Sequence, residues 1–249
     1  MVRHCPTFNG LACAAVVVCS SVMPYASAQA EPRAVVELFT SQGCSSCPAA
    51  DKLLGELTAD PSLVAISLPV DYWDYLGWKD TLALAGHSKR EHAYARTRGD
   101  GQVYTPQVVV NGSLHVLGSD KPAIEHAIAK SRKSGLPLSL PVTLAVADDN
   151  VTVNVPAGKA FAGEVWLCPI TKAIPIEIGR GENRGRTITY YNVVRRWLKL
   201  GDWSGAAESW KVPLKDVQTG EIDSVAVIVQ SGKAGSPGPV LGAALAAVR

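Results

Sequence analysis

No block of like charge runs through this 249-residue chain: 24 lysines and arginines, spread along its length, stand against 22 aspartates and glutamates. Nucleic acid or an anionic membrane surface calls for a concentrated basic patch, so neither is an expected partner. No GxSxG or HExxH segment occurs, which removes the common signatures of serine hydrolases and zinc peptidases. The GxxxxGK[ST] phosphate loop is missing too. The acidic residues form no recognisable paired-carboxylate motif. Methionine is scarce, with two in the chain, while glycine (22) and proline (16) are frequent. Internal repeats and low-complexity tracts are absent. No apolar run approaches the roughly 20 residues that a membrane-spanning helix needs.

One apolar run is present near the start, Leu11 to Met23. Arg3 precedes it and the small residues Ala26-Ser27-Ala28 follow, the pattern of a cleaved secretory signal over residues 1–28. Cleavage is expected before Gln29, with a cut before Glu31 as the alternative. The mature chain is then periplasmic or secreted and inserts in no membrane. Cys5, Cys13 and Cys19 leave with the leader, and Cys44, Cys47 and Cys168 remain. In an oxidising compartment thiols tend to pair. Three is odd, so pairing of the first two leaves Cys168, whose surroundings Val165-Trp166-Leu167 suit a small buried hydrophobe.

Beyond the leader, strand and helix signals alternate. Ala34 to Thr40 reads as a buried strand. A helix starts near the cysteines, carries Ala49, Leu53, Leu54 and Leu57, and stops at Asp60-Pro61. Leu63 to Val70 is a second strand. An aromatic stretch follows, Asp71-Tyr72-Trp73-Asp74-Tyr75-Leu76-Gly77-Trp78, and then a polar helix over about 88–97. Two β-rich runs flank Asn111-Gly112, a hairpin signal. Ser119-Asp120 caps a closing helix with Pro122 in its first turn. This order argues for an α/β unit over residues 31–134, a mixed sheet flanked by helices. Gly135-Leu136-Pro137 reads as a linker. Residues 138–249 carry about seven short strand signals, which suggests a small all-β, sandwich-like domain. The last of them, Val240 to Val248, is alanine-rich and fits a helix as well.

Cys44-Ser45-Ser46-Cys47 carries the chemistry. Two thiols separated by two residues, where a strand gives way to a helix, can close a disulfide across the first helical turn. Orphan N–H groups and the positive helix end there favour a thiolate. Cys44 is expected to be the exposed nucleophile and Cys47 the resolving thiol, with Ser45 and Ser46 as hydrogen-bond donors to the thiolate. This predicts an exported thiol–disulfide oxidoreductase acting on a protein or small-molecule thiol or disulfide, with no cofactor.

The segments Glu37 to Pro48, Val70 to Trp78, Tyr104 to Gly112 and Arg180 to Gly185 resemble an uncharacterised secreted bacterial family catalogued as a thioredoxin-like domain of unknown function. In the thioredoxin superfamily the proline before the third strand is usually cis and lies against the disulfide. The resemblance implies that place for Pro106, after Thr105, and implies that a buried acid near the dithiol, Asp71 or Asp74, accepts a proton beside Trp73. Two serines stand where thioredoxin has Gly-Pro, so the direction of electron flow does not carry over.

Two other functions compete. A non-catalytic binding module would use the disulfide as a staple and the aromatic stretch as a surface. A metal-handling protein, for copper in particular, would add His87, His92 or His115 to the thiolates. For His92 and His115 an ordinary place in a solvated helix and a strand is the simpler reading. The loop Arg180-Gly181-Glu182-Asn183-Arg184-Gly185 reads either as a plain hairpin turn or as an arm that completes a site.

Overall fold

The computed structural model describes residues 1–2, 31–133, 135–159, 162–218 and 220–248. The secretory signal expected over 1–28, with Cys5, Cys13 and Cys19, thus lies outside the described residues apart from its first two positions.

The first strand, β1 (Ala34–Thr40), is buried at all seven positions and sits inside the sheet. It runs parallel to β2 (Leu63–Pro69) and antiparallel to β3 (Gln107–Val110). A strand flanked on both sides and covered on both faces must be apolar throughout, as this one is except at Glu37 and Thr40. β3 turns into β4 (Leu114–Leu117) through Asn111 and Gly112, both at positive φ (49° and 70°). That is the backbone the Asn-Gly pair is suited to supply. Helices α1 (Pro48–Leu57) and α3 (Lys121–Arg132) cover one face of this sheet, packing on Val36, Leu38, Ala65 and Val108. Asp120 caps α3, accepting from the Ala123 N–H at 2.9 Å.

Helix α2 (Ala85–Arg98) covers the other face, and it departs from the expected solvated helix. While His92 stays exposed, polar His87, Ser88, Arg90 and Glu91 are buried along with Ala93, Tyr94 and Ala95. The reason is Glu37, fully buried in mid-strand, which draws Arg90 into a 2.7 Å ion pair. Tyr94 donates to the same carboxylate, and the Arg90 guanidinium also donates to Gln230 at 2.9 Å. Two charges leave water together only when their remaining donors and acceptors are filled, as they are here.

The second half contributes β5 (Thr143–Ala147), β6 (Asn150–Val155), β7 (Gly163–Glu177), β8 (Thr187–Val194), β9 (Leu198–Trp203), β10 (Glu208–Pro213), β11 (Ser224–Lys233) and β12 (Ser236–Ala247), with a single helical turn α4 (Leu214–Val217). The order of the large sheet is β12-β11-β7-β8-β2-β1-β3-β4, with β9 also paired to β7. A three-stranded sheet, β10-β6-β5, packs over β7, β9, β11 and β12 around Trp203, Val165, Val227 and Val153. The sandwich-like packing expected after residue 138 is therefore present, but its larger sheet is continuous with that of the first half, joined where β8 meets β2. Left alone, β2 would expose an unpaired edge lined with buried side chains. One apolar cluster accordingly mixes Phe39, Ile66 and Tyr94 with Ile170, Ala226, Ile228 and Val240. Alanine-rich 240–248 is strand, not helix, because β12 is registered against β11 from Ser224↔Ala247 to Lys233↔Ser236. Tertiary pairing overrides helix propensity at this position. Among the described residues no helix is long and apolar enough to cross a membrane.

Candidate functional site

The chain leaves β1 at Thr40, passes through Ser41-Gln42-Gly43, and enters α1 with Cys47 as its N-cap residue and Pro48 at the first helical position. Pro48 fits there because its missing N–H has no helical partner to lose. Cys47 accepts from the N–H groups of Ala50 and Asp51 at 2.8 and 3.0 Å. Cys44 and Cys47 are joined as a disulfide with Cα atoms 5.4 Å apart. The expected exposed nucleophile is not exposed: Cys44 retains 2% of its accessible surface and Cys47 none. Ser45 and Ser46 form the exposed tip of the loop, and Ser46 Oγ lies 3.4 Å from Cys44 Sγ.

Burial of the cysteines has identifiable causes. Trp73 stands over Gly43, where a Cβ would come within 3.0 Å of the Trp73 Cβ. The same indole donates to Thr105 Oγ1 at 2.7 Å, which ties the cysteine loop to the Thr105-Pro106 peptide. That peptide is cis. Pro106 accepts from Gly118 N–H at 2.9 Å, and Gly118 in turn packs against Pro106, Leu38 and Ala50 of α1. Behind the loop, Gln42 is a fully buried hub. Its N–H donates to Asp80 at 2.8 Å, its amide donates to Thr81 at 3.1 Å, and its side-chain oxygen accepts from Trp78 at 2.8 Å. From β7–β8, Asn183 reaches in with 1% of its surface exposed. Its amide donates to the carbonyls of Gln42 (3.0 Å) and Cys44 (2.8 Å). The loop 180–185 is thus both a hairpin turn and an arm across the site. Trp78 packs on its Gly179 and Gly181.

The aromatic stretch splits between packing and exposure. Trp73 and Trp78 pack inward, whereas Tyr75, stacked on Trp73 at 6.4 Å, is 78% exposed.

Asp71 and Asp74, the alternatives expected as the buried acid, are both half-buried. Asp71 accepts from Ser88 of α2, and Asp74 accepts from Asp80 N–H at 3.0 Å, so Asp74 acts on the loop only through Asp80. Asp51 and Asp80 are the buried ones, at 1% and 3% exposure. Asp51 lies one helical turn beyond Cys47. One oxygen accepts from Thr40 Oγ1 at 2.8 Å and the other has no partner among the described residues. Burial pushes its carboxyl well above the ordinary range, against the Thr40 bond, and the Asp80 charge adds to the rise. Burial raises Asp80 in the same way, opposed by the backbone N–H groups of Gln42 and Leu82. Ser67 and Tyr190 also carry buried hydroxyls without partners among the described residues. A signal for Asp51 was available: it falls on the helix face of Ala50 and Leu54, where a carboxylate has no solvent. Asp80 and Gln42 carried no such signal, because irregular loops place them.

The histidines are engaged elsewhere. His87 Nδ1 meets the Pro69 carbonyl at 2.9 Å, His92 Nδ1 the Ser88 carbonyl at 2.8 Å, and His115 lies between Tyr104 Oη and Asp100. Among the described residues, no group of three His, Cys, Asp or Glu is placed to hold a metal ion. Cys168 is free and buried, and burial pushes its thiol up, out of the reactive range.

The chain is similar to protein AGR_C_4864 from Agrobacterium tumefaciens, at 32% identity over 88% of this chain and 95% of that one, with a TM-score of 0.77. It also shares the fold of HBP35 of Porphyromonas gingivalis, at 14% identity over 88% and 76% of the two chains, with a TM-score of 0.57. No curated protein matches. Residues 35–230 match the family described as a protein of unknown function, DUF1223, and the chain belongs to that family.

Proposed function

We propose that this protein is an exported thiol–disulfide exchange protein, with a thioredoxin-like unit in its first half and Cys44–Cys47 as the reacting pair. The observation that carries the reading is the position of the disulfide. It closes on the N-cap residue of α1, one turn from an unsatisfied buried carboxyl and bridged by Trp73 to the cis Thr105-Pro106 peptide. A helix N-terminus favours a leaving thiolate.

In the reducing direction a partner thiolate attacks Cys44 Sγ, the S–S bond breaks, and Cys47 leaves as a thiolate. Asp51, whose carboxyl burial pushes up, supplies the proton that Cys47 takes up and regains one from solvent. A second partner thiolate attacks the mixed disulfide, releases partner disulfide, and frees Cys44, which is protonated from solvent. Two electrons and two protons pass to the protein, and the reverse sequence oxidises a partner. Trp73 and Thr105 hold the Pro106 backbone for that partner. Export rests on the leader expected over residues 1–28, and an oxidising compartment would keep such a pair as the disulfide.

A second reading is favoured by one observation, the 2% and 0% exposure of the two cysteines: a permanent staple beneath a binding surface. Glutathione titration of the mature protein separates the two. A reversible midpoint near or above about −230 mV supports exchange, and one below about −300 mV supports the staple. Cys44→Ser must abolish the redox response; a response that survives it sinks the exchange reading.

A further inference from the structure

Beside the disulfide, β8 has an open edge. It pairs with β7 from Thr187 to Val194 but meets β2 at one position, Ser67 opposite Val193. Before that position the two strands part. Asn192, at φ 46°, turns its amide to the Ala65 carbonyl at 2.9 Å, and α1 fills the gap so closely that a Cβ on Gly55 would meet the Tyr191 ring at 2.6 Å. Among the described residues no strand pairs with Thr187 to Tyr191 on the α1 side.

The parting leaves a cleft of about 490 Å³. Pro48 and Lys52 of α1 form one wall, and Arg186, Thr187, Thr189 and Tyr191 the other. Pro48 directly follows Cys47. Arg186 donates to Asn183 at 3.3 Å, the residue that holds the Cys44 carbonyl. Lys52 and Arg186 enter no ion pair among the described residues. The cleft is therefore cationic, begins at the residue after Cys47, and is walled by a strand that no other strand pairs on this side among the described residues.

We propose that this cleft binds an extended acidic peptide segment of the exchange partner, added as a strand along β8; this rests on the exchange reading above. The strand edge supplies backbone hydrogen bonds, which fix an extended chain without regard to sequence. Lys52 and Arg186 supply the preference for glutamate or aspartate near the partner's cysteine. Cations placed only to guard an edge against aggregation would give no binding of a strand at all.

The test uses a fluorescein-labelled decapeptide of alternating glutamate and valine, followed by anisotropy with the mature protein. Binding is expected, and it weakens by about tenfold or more when lysine replaces glutamate in the peptide. A similar loss is expected for the Lys52→Glu/Arg186→Glu variant. Methylating alternate backbone nitrogens of the peptide removes edge donors and weakens binding about fivefold or more. The peptide comparisons need no variant, so a variant that fails to fold leaves them decisive. Absence of binding, equal affinity for the glutamate and lysine peptides, or indifference to N-methylation overturns the proposal. The glutathione midpoint is read on the same sample without peptide. A staple-range midpoint with acidic-peptide binding intact overturns exchange and keeps the cleft as a binding site, whereas an exchange-range midpoint without peptide preference overturns the cleft alone.

Discussion

Removing the Asn183 amide tests whether the second half of the chain builds the cysteine site. In Asn183→Ala the two donated hydrogen bonds vanish, to the carbonyls of Gln42 (3.0 Å) and Cys44 (2.8 Å), along with the longer one accepted from exposed Arg186 (3.3 Å). The two losses are unequal. Cys44 O keeps the Cys47 N–H at 3.3 Å, so it forfeits only a net bond, about 0.5–1.5 kcal/mol. Gln42 O has no other protein donor among the described residues and is buried, so it bears the cost of an unsatisfied acceptor, about 1–3 kcal/mol. Together these come to about 1.5–4.5 kcal/mol. For a chain of this size each kcal/mol lowers the melting temperature by about 2–4 °C, so a fall of roughly 3–18 °C is expected. Urea unfolding of the oxidised protein measures the free energy directly. The loop should also loosen around the disulfide, so iodoacetamide should alkylate Cys44 of the reduced variant faster than that of the reduced parent. A loss under about 0.5 kcal/mol together with an unchanged alkylation rate would falsify the view that this arm holds the loop.

Arg90→Leu leaves Glu37 charged and unpaired in the core and should cost about 3–5 kcal/mol in urea unfolding, whereas Glu37→Leu/Arg90→Leu together should recover part of that loss; equal costs for single and double variants would refute the pairing. Gly118→Ala drives a Cβ to 2.8 Å from Leu38 and 3.1 Å from Pro106, so it should destabilise by about 1–3 kcal/mol, and a neutral or stabilised variant would show that the packing yields. Burial lowers His87 to about 4, so its folded-state value lies below that of the unfolded chain. Its contribution is then complete above pH 6.5 and is lost as pH falls toward 4. Asp51, Asp80 and Glu91, all raised by burial, slope the opposite way, Glu91 to about 7. The difference between wild type and His87→Gln isolates His87: it should shrink by about 3 kcal/mol between pH 7 and pH 4, and parallel stability curves would refute the assignment.

Local patterns in the sequence fix much of this molecule. The valine-rich run of β1, the cysteines ahead of an amphipathic helix, the Asn-Gly turn and the Asp120 cap each act within a few residues, where periodicity and turn chemistry decide the backbone. Those signals place Cys47 at a helix start and Thr105-Pro106 before a strand. Other features arise only when distant segments meet. Residues 138–249 carry strand signals, yet nothing local says that β8 completes the sheet at β2 or that alanine-rich β12 is strand; pairing of Val193 with Ser67 decides the first, and the hairpin register of β12 on β11 decides the second. Helix α2 reads as solvated until Glu37, 53 residues earlier in the chain, turns Arg90 inward. The site follows the same division: the dithiol is written in four consecutive residues, while its burial under Trp73, its anchor in Asn183 from 139 residues away and the orphaned carboxyl of Asp51 exist only in the folded chain. Hydrogen bonding and desolvation depend on what surrounds a group in space, and only the tertiary structure supplies those surroundings.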